Sequence, residues 1–392
     1  MNTSVLEPIA NLLLPHMIAT RLNLPLGTLS LRRAWPRAVD HLLLEYMATD
    51  GAIVPGQWFL DQTDAEQTVA DLQHRAPAKD VALIECMPGS PSSGYVVLQR
   101  YGADSKLVGL APLLASSGTQ LLVHRPERRA VVRLETPEGL RFAKIVPPKR
   151  LPKVLSTGYM AAAVGRQTFD TPSILQSDQH TGTVIWSALS GTMLYDSLND
   201  PSLESSMIAI GEALGGLHGS TKPLELNTYT AESEIAMLET WIARLTTFMP
   251  DLGDRCAVLA PSVYAALAES SNDYVPIHRD FYDKQVFLSA NGRVGLLDFD
   301  TFAYGEAALD IANMLVHFEL RVLQGYLQRE QAERAVAAFL ACYAPSPAVQ
   351  ERIDAYIAAT RLRLACVYAF RPHGRVQPSA LLALLHNNLS VA

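Results

Sequence analysis

The chain has 392 residues, of which 49% are hydrophobic and 18% charged, with a formal net charge of −7. That size accommodates two lobes and a sizeable core. The acidic balance without a Lys/Arg-rich run argues against a nucleic-acid partner, which needs a basic patch, and no apolar run approaches the ~18 residues of a membrane-spanning helix.

In chain order, residues 5–22 read as a short amphipathic helix broken near Pro15. "HLLLEYMATDGAIVPGQWFLD" reads as strand, turn, strand, with Asp50-Gly51 at the turn. Residues 63–74 have a helical pattern, and "VALIECM" and "SGYVVLQRY" are two further short strands. A meander comes next: "QLLVH", "AVVRLE" and "RFAKIV" alternate with the turns "RPER" and "TPEG", and Pro147-Pro148 ends the last strand because proline supplies no ladder donor. "LPKVLSTGYMAAAVGRQ" is a predicted helix, and "GTVIWSALSG" a buried strand entering a small-residue corner. From about residue 202 the pattern is helical, with helices also over 306–343, 347–369 and 378–388, interrupted by a hairpin at 275–300. A strand-rich first half and a helix-rich second half make an α+β chain. Cys86, Cys256, Cys342 and Cys366 are far apart and form no C-x-x-C pair, which predicts no disulfide framework and a reduced, cytoplasmic setting. The amino-terminal stretch lacks a basic region and a small-residue cleavage site.

The chemistry concentrates in "VPIHRDFYDKQVFL", Val275 to Leu288. His278-Arg279-Asp280 is followed five residues after the aspartate by Gln285, then by a strand, an Asn291-Gly292 turn and "VGLLDFD". The turn closes a hairpin, which returns Asp298 and Asp300 to the neighbourhood of Asp280 and Gln285. An aspartate, an amide oxygen and a second aspartate in this order suit phosphoryl transfer, in which a base orients a hydroxyl and oxygen ligands hold Mg²⁺.

These residues resemble the aminoglycoside phosphotransferase/choline kinase family of protein-kinase-like small-molecule kinases. His278 to Gln285 matches the family's H-G-D-x-x-x-x-N loop, Leu297 to Asp300 its metal motif, and Gly305 to Ala312 its "G-[DE]-P-x-x-D-[LI]-A" segment. The resemblance implies a bilobal protein-kinase-like fold, with an antiparallel sheet lobe and a mainly helical lobe. It implies ATP (or another nucleoside triphosphate) and Mg²⁺ as cofactors, and a small-molecule hydroxyl acceptor as partner. Asp280 would be the catalytic base, with Gln285 and Asp298 on the metal. Lys144 and Arg128 would meet the phosphates, and backbone around Trp186, Ala188 and Leu189 the adenine. His278 and Asp310 would support the loop, and His218 would be structural.

The expected divisions are an N-terminal extension at 1–75, a nucleotide-binding sheet lobe at 76–186 and a helical lobe at 187–392. Four departures stand out. Gln285 replaces asparagine, keeping the amide oxygen on one more methylene. No glutamate lies between Glu138 and Glu204 to pair with Lys144, and the phosphate turn "VHRPERRA" has no glycine, leaving Arg125, Arg128 and Arg129 as its charge. Arg279 stands where the family has glycine, and a carboxylate partner is expected for it. Acidic and basic side chains nearly balance over 301–392, which favours a sugar or another weakly charged alcohol over a polycationic acceptor. The alternative to an enzyme is a non-catalytic kinase-like binding module. A serine hydrolase is excluded for want of a G-x-S-x-G elbow.

Overall fold

A computed structural model describes residues 29–74, 76–77, 80–85, 94–269, 273–372 and 375–389. The helix expected over 5–22 and Cys86 lie outside the described residues. The chain opens with strands β1 (Leu29–Ala38), β2 (His41–Ala48) and β3 (Ile53–Phe59) and helix α1 (Gln62–Gln73), followed by β4 (Val81–Glu85) and β5 (Tyr95–Gln99). They form an antiparallel sheet in the order β1-β2-β3-β5-β4. Pro36 is tolerated because β1 is an edge. Asp61 caps α1 through the amides of Thr63 and Asp64, and α1 seals one face of the sheet over Phe59, Ala65, Leu72 and Val97. The other face joins the main core, where the Trp58 ring stands edge-on to Phe248 at 6.2 Å. The division expected at residue 75 runs through this sheet: β5 is hydrogen-bonded to β3, so residues 81–99 belong with the hairpin before them.

Helix α2 (Leu110–Leu114) leads into the second sheet: β6 (Thr119–Arg125), β7 (Arg129–Thr136) and β8 (Gly139–Ile145), then helix α3 (Leu151–Gly165) and strands β9 (Ile174–Asp178) and β10 (Thr183–Ser187). The order is β6-β7-β8-β10-β9, all antiparallel. Alternation along the strands gives this sheet two unlike faces. Ala130, Val132, Ala143 and Ile145 pack with Leu107 and Leu110, whereas Arg129, Val131, Phe142 and Lys144 point into a cavity.

Beyond β11 (Thr192–Met193) the chain is mainly helical: α4 (Leu203–His218), α5 (Ala231–Phe248) and α6 (Pro250–Ala268). Thr230 and Ser233 make a capping box at the start of α5. Short strands β12 (Val275–Ile277), β13 (Val286–Leu288), β14 (Val294–Leu296) and β15 (Ala303–Gly305) carry the 275–305 region, and α7 (Ala308–Leu323), α8 (Arg329–Tyr343), α9 (Pro347–Ala369) and α10 (Pro378–Leu389) complete the chain. The architecture is α+β, with the antiparallel sheets ahead of the helical lobe, as expected. None of the described helices is long and apolar enough to cross a membrane, and Cys256, Cys342 and Cys366 are free thiols.

Candidate active site

The β13–β14 hairpin turns at Asn291-Gly292, with Gly292 at φ +78°, and Ser289 and Arg293 close it. It delivers Asp298, at φ +59° and ψ +58°, to a point reached from both sheet and loop. The left-handed conformation costs a non-glycine residue ~1–2 kcal/mol, and aspartate is among the residues that tolerate it best. The Leu297 amide donates to the Gln285 carbonyl at 2.9 Å, so the two expected metal-binding residues are tied together through backbone.

The loop from His278 to Gln285 is held from beneath. Asp310, wholly buried in the first turn of α7, accepts from the amides of His278 at 2.6 Å and Arg279 at 2.7 Å. His218 bridges Asp310 at 3.2 Å and the Tyr343 hydroxyl at 2.7 Å. His278 Nε2 donates to the Leu297 carbonyl at 2.7 Å, and Nδ1 accepts from the Asp280 amide at 3.3 Å. One imidazole thus fastens Asp280 to the residue preceding Asp298. Asn313 donates to the Phe281 carbonyl, and Arg321 makes two bonds to buried Asp283 at 2.6 and 2.9 Å. Burial and the nearby charge of Asp298 push the Asp280 carboxyl above its usual value. Gln285 Nε2 lies 3.4 Å from Asp280 Oδ2.

Lys144 has its partners here. Its ammonium is 2.8 Å from Asp298 and 2.6 Å from Asp300, and Arg129 Nη1 is 3.1 Å from Asp298 and 3.8 Å from Asp300. Two carboxylates that follow the hairpin thus pair with the lysine for which the sequence offers no helix-borne glutamate. Burial opposes the Lys144 charge, but Asp298 and Asp300 outweigh it and raise its pKa. Burial likewise opposes the Asp298 charge, and Lys144 and Arg129 hold that carboxyl far below the ordinary range.

These groups close one end of a cavity of about 510 Å³ whose walls include Phe142, Gly158, Trp186, Ala188 and Leu189. Its size and apolar walls with a few convergent charges suit a cofactor. Trp186 packs so closely on α3 that a Cβ on Gly158 would stand 2.4 Å from its ring. Gln285 and Asp298 also line the cavity. Arg128 does not: it is exposed in the turn, and its neighbour Arg129, first in β7, takes the inward position. That substitution is strand parity, unreadable until the register of β7 against β8 is known. Arg279 departs from expectation too. Among the described residues it pairs with no carboxylate; its guanidinium covers the Tyr229 ring at 3.4 Å and reaches the Thr301 carbonyl at 3.4 Å.

The glycine-free turn between β6 and β7 is shaped by other means. Glu127 takes φ +58°. Its amide donates to Asp104 at 2.8 Å, and its carboxylate receives Arg37 of β1 at 2.8 Å as well as Lys106. Asp104 also meets buried His124 at 2.9 Å. Nothing in the sequence marked Arg37, Lys106 or Asp104 as neighbours of this turn, because they come from segments outside it.

No set of three or more His, Cys, Asp or Glu side chains among the described residues forms a metal cluster. The donors at the cavity end are nevertheless all oxygen: the Asp298 carboxylate, the Gln285 amide and Asp300. Mg²⁺ commonly takes one or two carboxylates and fills its octahedron with water and phosphate oxygens, so this donor set fits it.

An antiparallel sheet lobe over a helical lobe, with a charged cavity between them, defines a kinase-like phosphotransferase architecture. Residues 119–343, more than half of the chain, match the model of the APH phosphotransferase enzyme family, and the chain belongs to that family. A thermostable mutant of aminoglycoside phosphotransferase APH(4)-Ia has the same fold, with a TM-score of 0.53 at 13% identity over 68% of this chain and 94% of that one. Choline kinase LicA from Streptococcus pneumoniae scores 0.49 at 16% identity over 72% and 97%. Aminoglycoside phosphotransferase APH(3'')-Id from Streptomyces rimosus scores 0.48 at 19% over 63% and 93%. No curated protein is a significant sequence match. The family match begins at β6, so the first sheet lies outside it.

Proposed function

We propose that the protein is an ATP- and Mg²⁺-dependent kinase that moves the γ-phosphate to a hydroxyl of a small molecule, with sugars, amino sugars and amino alcohols as the acceptor classes. The observation that carries this reading is the convergence of Lys144, Arg129, Gln285 and Asp298 at one end of the cavity, beside Asp280.

Each residue has a task that its surroundings support. Phe142, Trp186 and Leu189 give a flat base apolar contact, and the backbone after Trp186 offers it hydrogen bonds. Lys144 and Arg129 remain charged at any working pH and meet phosphate oxygens; the planar fork of Arg129 can take two at once. Asp298 and the Gln285 amide oxygen would hold Mg²⁺, which neutralises charge on the phosphates when bound. Asp280 accepts a hydrogen bond from the acceptor hydroxyl and takes its proton as the phosphorus–oxygen bond forms. His278 and Asp310 keep that carboxylate aimed.

The test is phosphate transfer from ATP across a panel of alcohols, with and without Mg²⁺, in the wild type and in Asp280→Ala. We expect metal-dependent transfer that falls ~100-fold or more in the variant, with ADP affinity unchanged. Nucleotide binding without transfer to any acceptor would favour a non-catalytic binding module instead.

A further inference from the structure

Glycine is missing where the turn between β6 and β7 calls for it. The four residues are Arg125-Pro126-Glu127-Arg128, and the Arg128 amide donates to the Arg125 carbonyl at 3.0 Å. Proline suits the second place of such a turn, and a positive φ in the third place normally requires glycine. Glu127 stands there instead, at φ +58°. A strained residue of this kind persists only where its surroundings over-determine it. Those surroundings come from ahead of residue 119, where the family match begins. Asp104 accepts the Glu127 amide at 2.8 Å. The Glu127 carboxylate, 13% exposed, receives Arg37 at 2.8 Å, Lys106, and the Ser105 hydroxyl at 3.4 Å. Arg37 is the extra residue of a bulge in β1, since Pro36 pairs with Leu42 and Ala38 with His41, and a bulge re-aims a side chain out of the regular alternation. The same strand holds the other end of the turn: the Arg125 guanidinium lies 5.1 Å from the centre of the Trp35 ring.

What the turn controls is Arg129. It follows Glu127 by two residues, opens β7, lines the cavity and reaches Asp298 at 3.1 Å. Leu122 and Val123, on the strand that leads into the turn, line the same cavity. The turn has no backbone amide to offer a phosphate: Pro126 has none, and those of Glu127 and Arg128 are taken by Asp104 and by the Arg125 carbonyl. Recognition from this side of the cavity therefore falls to a side chain, and the direction of that side chain matters. A change of φ at Glu127 would swing the start of β7 against β6, and Arg129 with it.

We propose that Arg37, Asp104 and Lys106 are positioning residues of the nucleotide site: through Glu127 they hold the glycine-free turn in the shape that aims Arg129 at the phosphates. This rests on the kinase reading of the same cavity. The first sheet, although outside the family match, is thereby part of the machinery that binds the nucleotide.

The experiment measures binding of ADP with Mg²⁺, and of adenosine, by calorimetry in the wild type, Arg37→Ala, Arg37→Gln and the double variant that adds Glu127→Gly to Arg37→Ala. Adenosine has no phosphate, so it reports on the apolar part of the cavity and on whether each variant is folded. Arg37→Ala is expected to weaken ADP binding ~10-fold, the order of one hydrogen bond to a charged group, and to leave adenosine affinity within about twofold. Arg37→Gln, with similar reach and no charge, is expected to show a smaller loss of the same kind. Glycine takes a positive φ without help, so the double variant is expected to recover most of the ADP affinity. ADP binding indifferent to Arg37, equal loss of ADP and adenosine in both single variants, or no recovery on adding Glu127→Gly would overturn the proposal. Transfer assays across a panel of alcohols separate the two readings. Absence of transfer with the Arg37 effect on ADP intact would sink the kinase reading alone, whereas transfer with ADP binding indifferent to Arg37 would sink this one alone.

Discussion

Asp310 shows how much one buried carboxylate fixes at the residue scale. It accepts two consecutive loop amides and a histidine, and an amide side chain in its place turns one acceptor into a donor. Asp310→Asn is therefore expected to lose ~2 kcal/mol, the order of a hydrogen bond to a charged group, read as a lower denaturation midpoint. It is also expected to lower kcat at least ~10-fold while leaving the nucleotide KM near its starting value, because it positions Asp280 without touching the cavity. Gln285 makes the opposite case. Its amide already faces the cavity and its backbone is tied to Leu297, so the longer side chain is built into the local geometry. Gln285→Asn withdraws the amide by one methylene, and a raised Mg²⁺ requirement, seen as a rightward shift of activity against metal concentration, is the expected result; an unchanged metal dependence would remove Gln285 from the metal site.

At the scale of elements, the contact between α3 and β10 sets the width of the cavity. Gly158 leaves room for the Trp186 ring, which stands 2.4 Å from where a Cβ would be. Gly158→Ala should push the ring and weaken ADP binding ~10-fold by calorimetry, with overpacking costing ~1–3 kcal/mol of stability. Gly215→Ala in α4, where nothing lies within 4 Å, is the control and should leave ADP affinity alone. Elements such as these were legible where a local signal existed. The β13–β14 hairpin announced itself through Asn291-Gly292, the β6–β8 meander through alternation and turns, and Asp310 through its motif. Strand β1 gave no sign, because "LSLRRAWPRA" has neither alternation nor a turn at its start, and its burial comes from neighbours. Helix α6 falls in the stretch read as helical from about residue 202, and Gly253 is what lets it lie against Thr246 of α5, 2.4 Å from its would-be Cβ. The partners of Lys144 were invisible for a different reason: Asp298 and Asp300 are about 150 residues downstream, and only tertiary closure brings them in.

At the scale of the whole molecule, the first sheet is joined to the second sheet and the helical lobe by charge as well as by the core. Burial opposes the Glu127 carboxylate, but Lys106 and Arg37 hold its pKa below the ordinary value of 4.5. A carboxyl depressed in the folded state contributes stability that is complete above its unfolded pKa and fades as the pH drops through the folded one. The melting temperature of Glu127→Gln should accordingly fall below that of the wild type at pH 7, and the gap should close below about pH 4. A gap that persists in acid would mean that Glu127 acts through shape alone. The same strand, β1, is bonded at Arg37 to the turn between β6 and β7 and at Ala34 to the end of α9 beside Phe370. Those two attachment points lie on opposite sides of the cleft. Mechanically β1 is a tie-bar across that cleft: the two halves cannot swing apart without breaking its bond at Arg37 or its bond at Ala34.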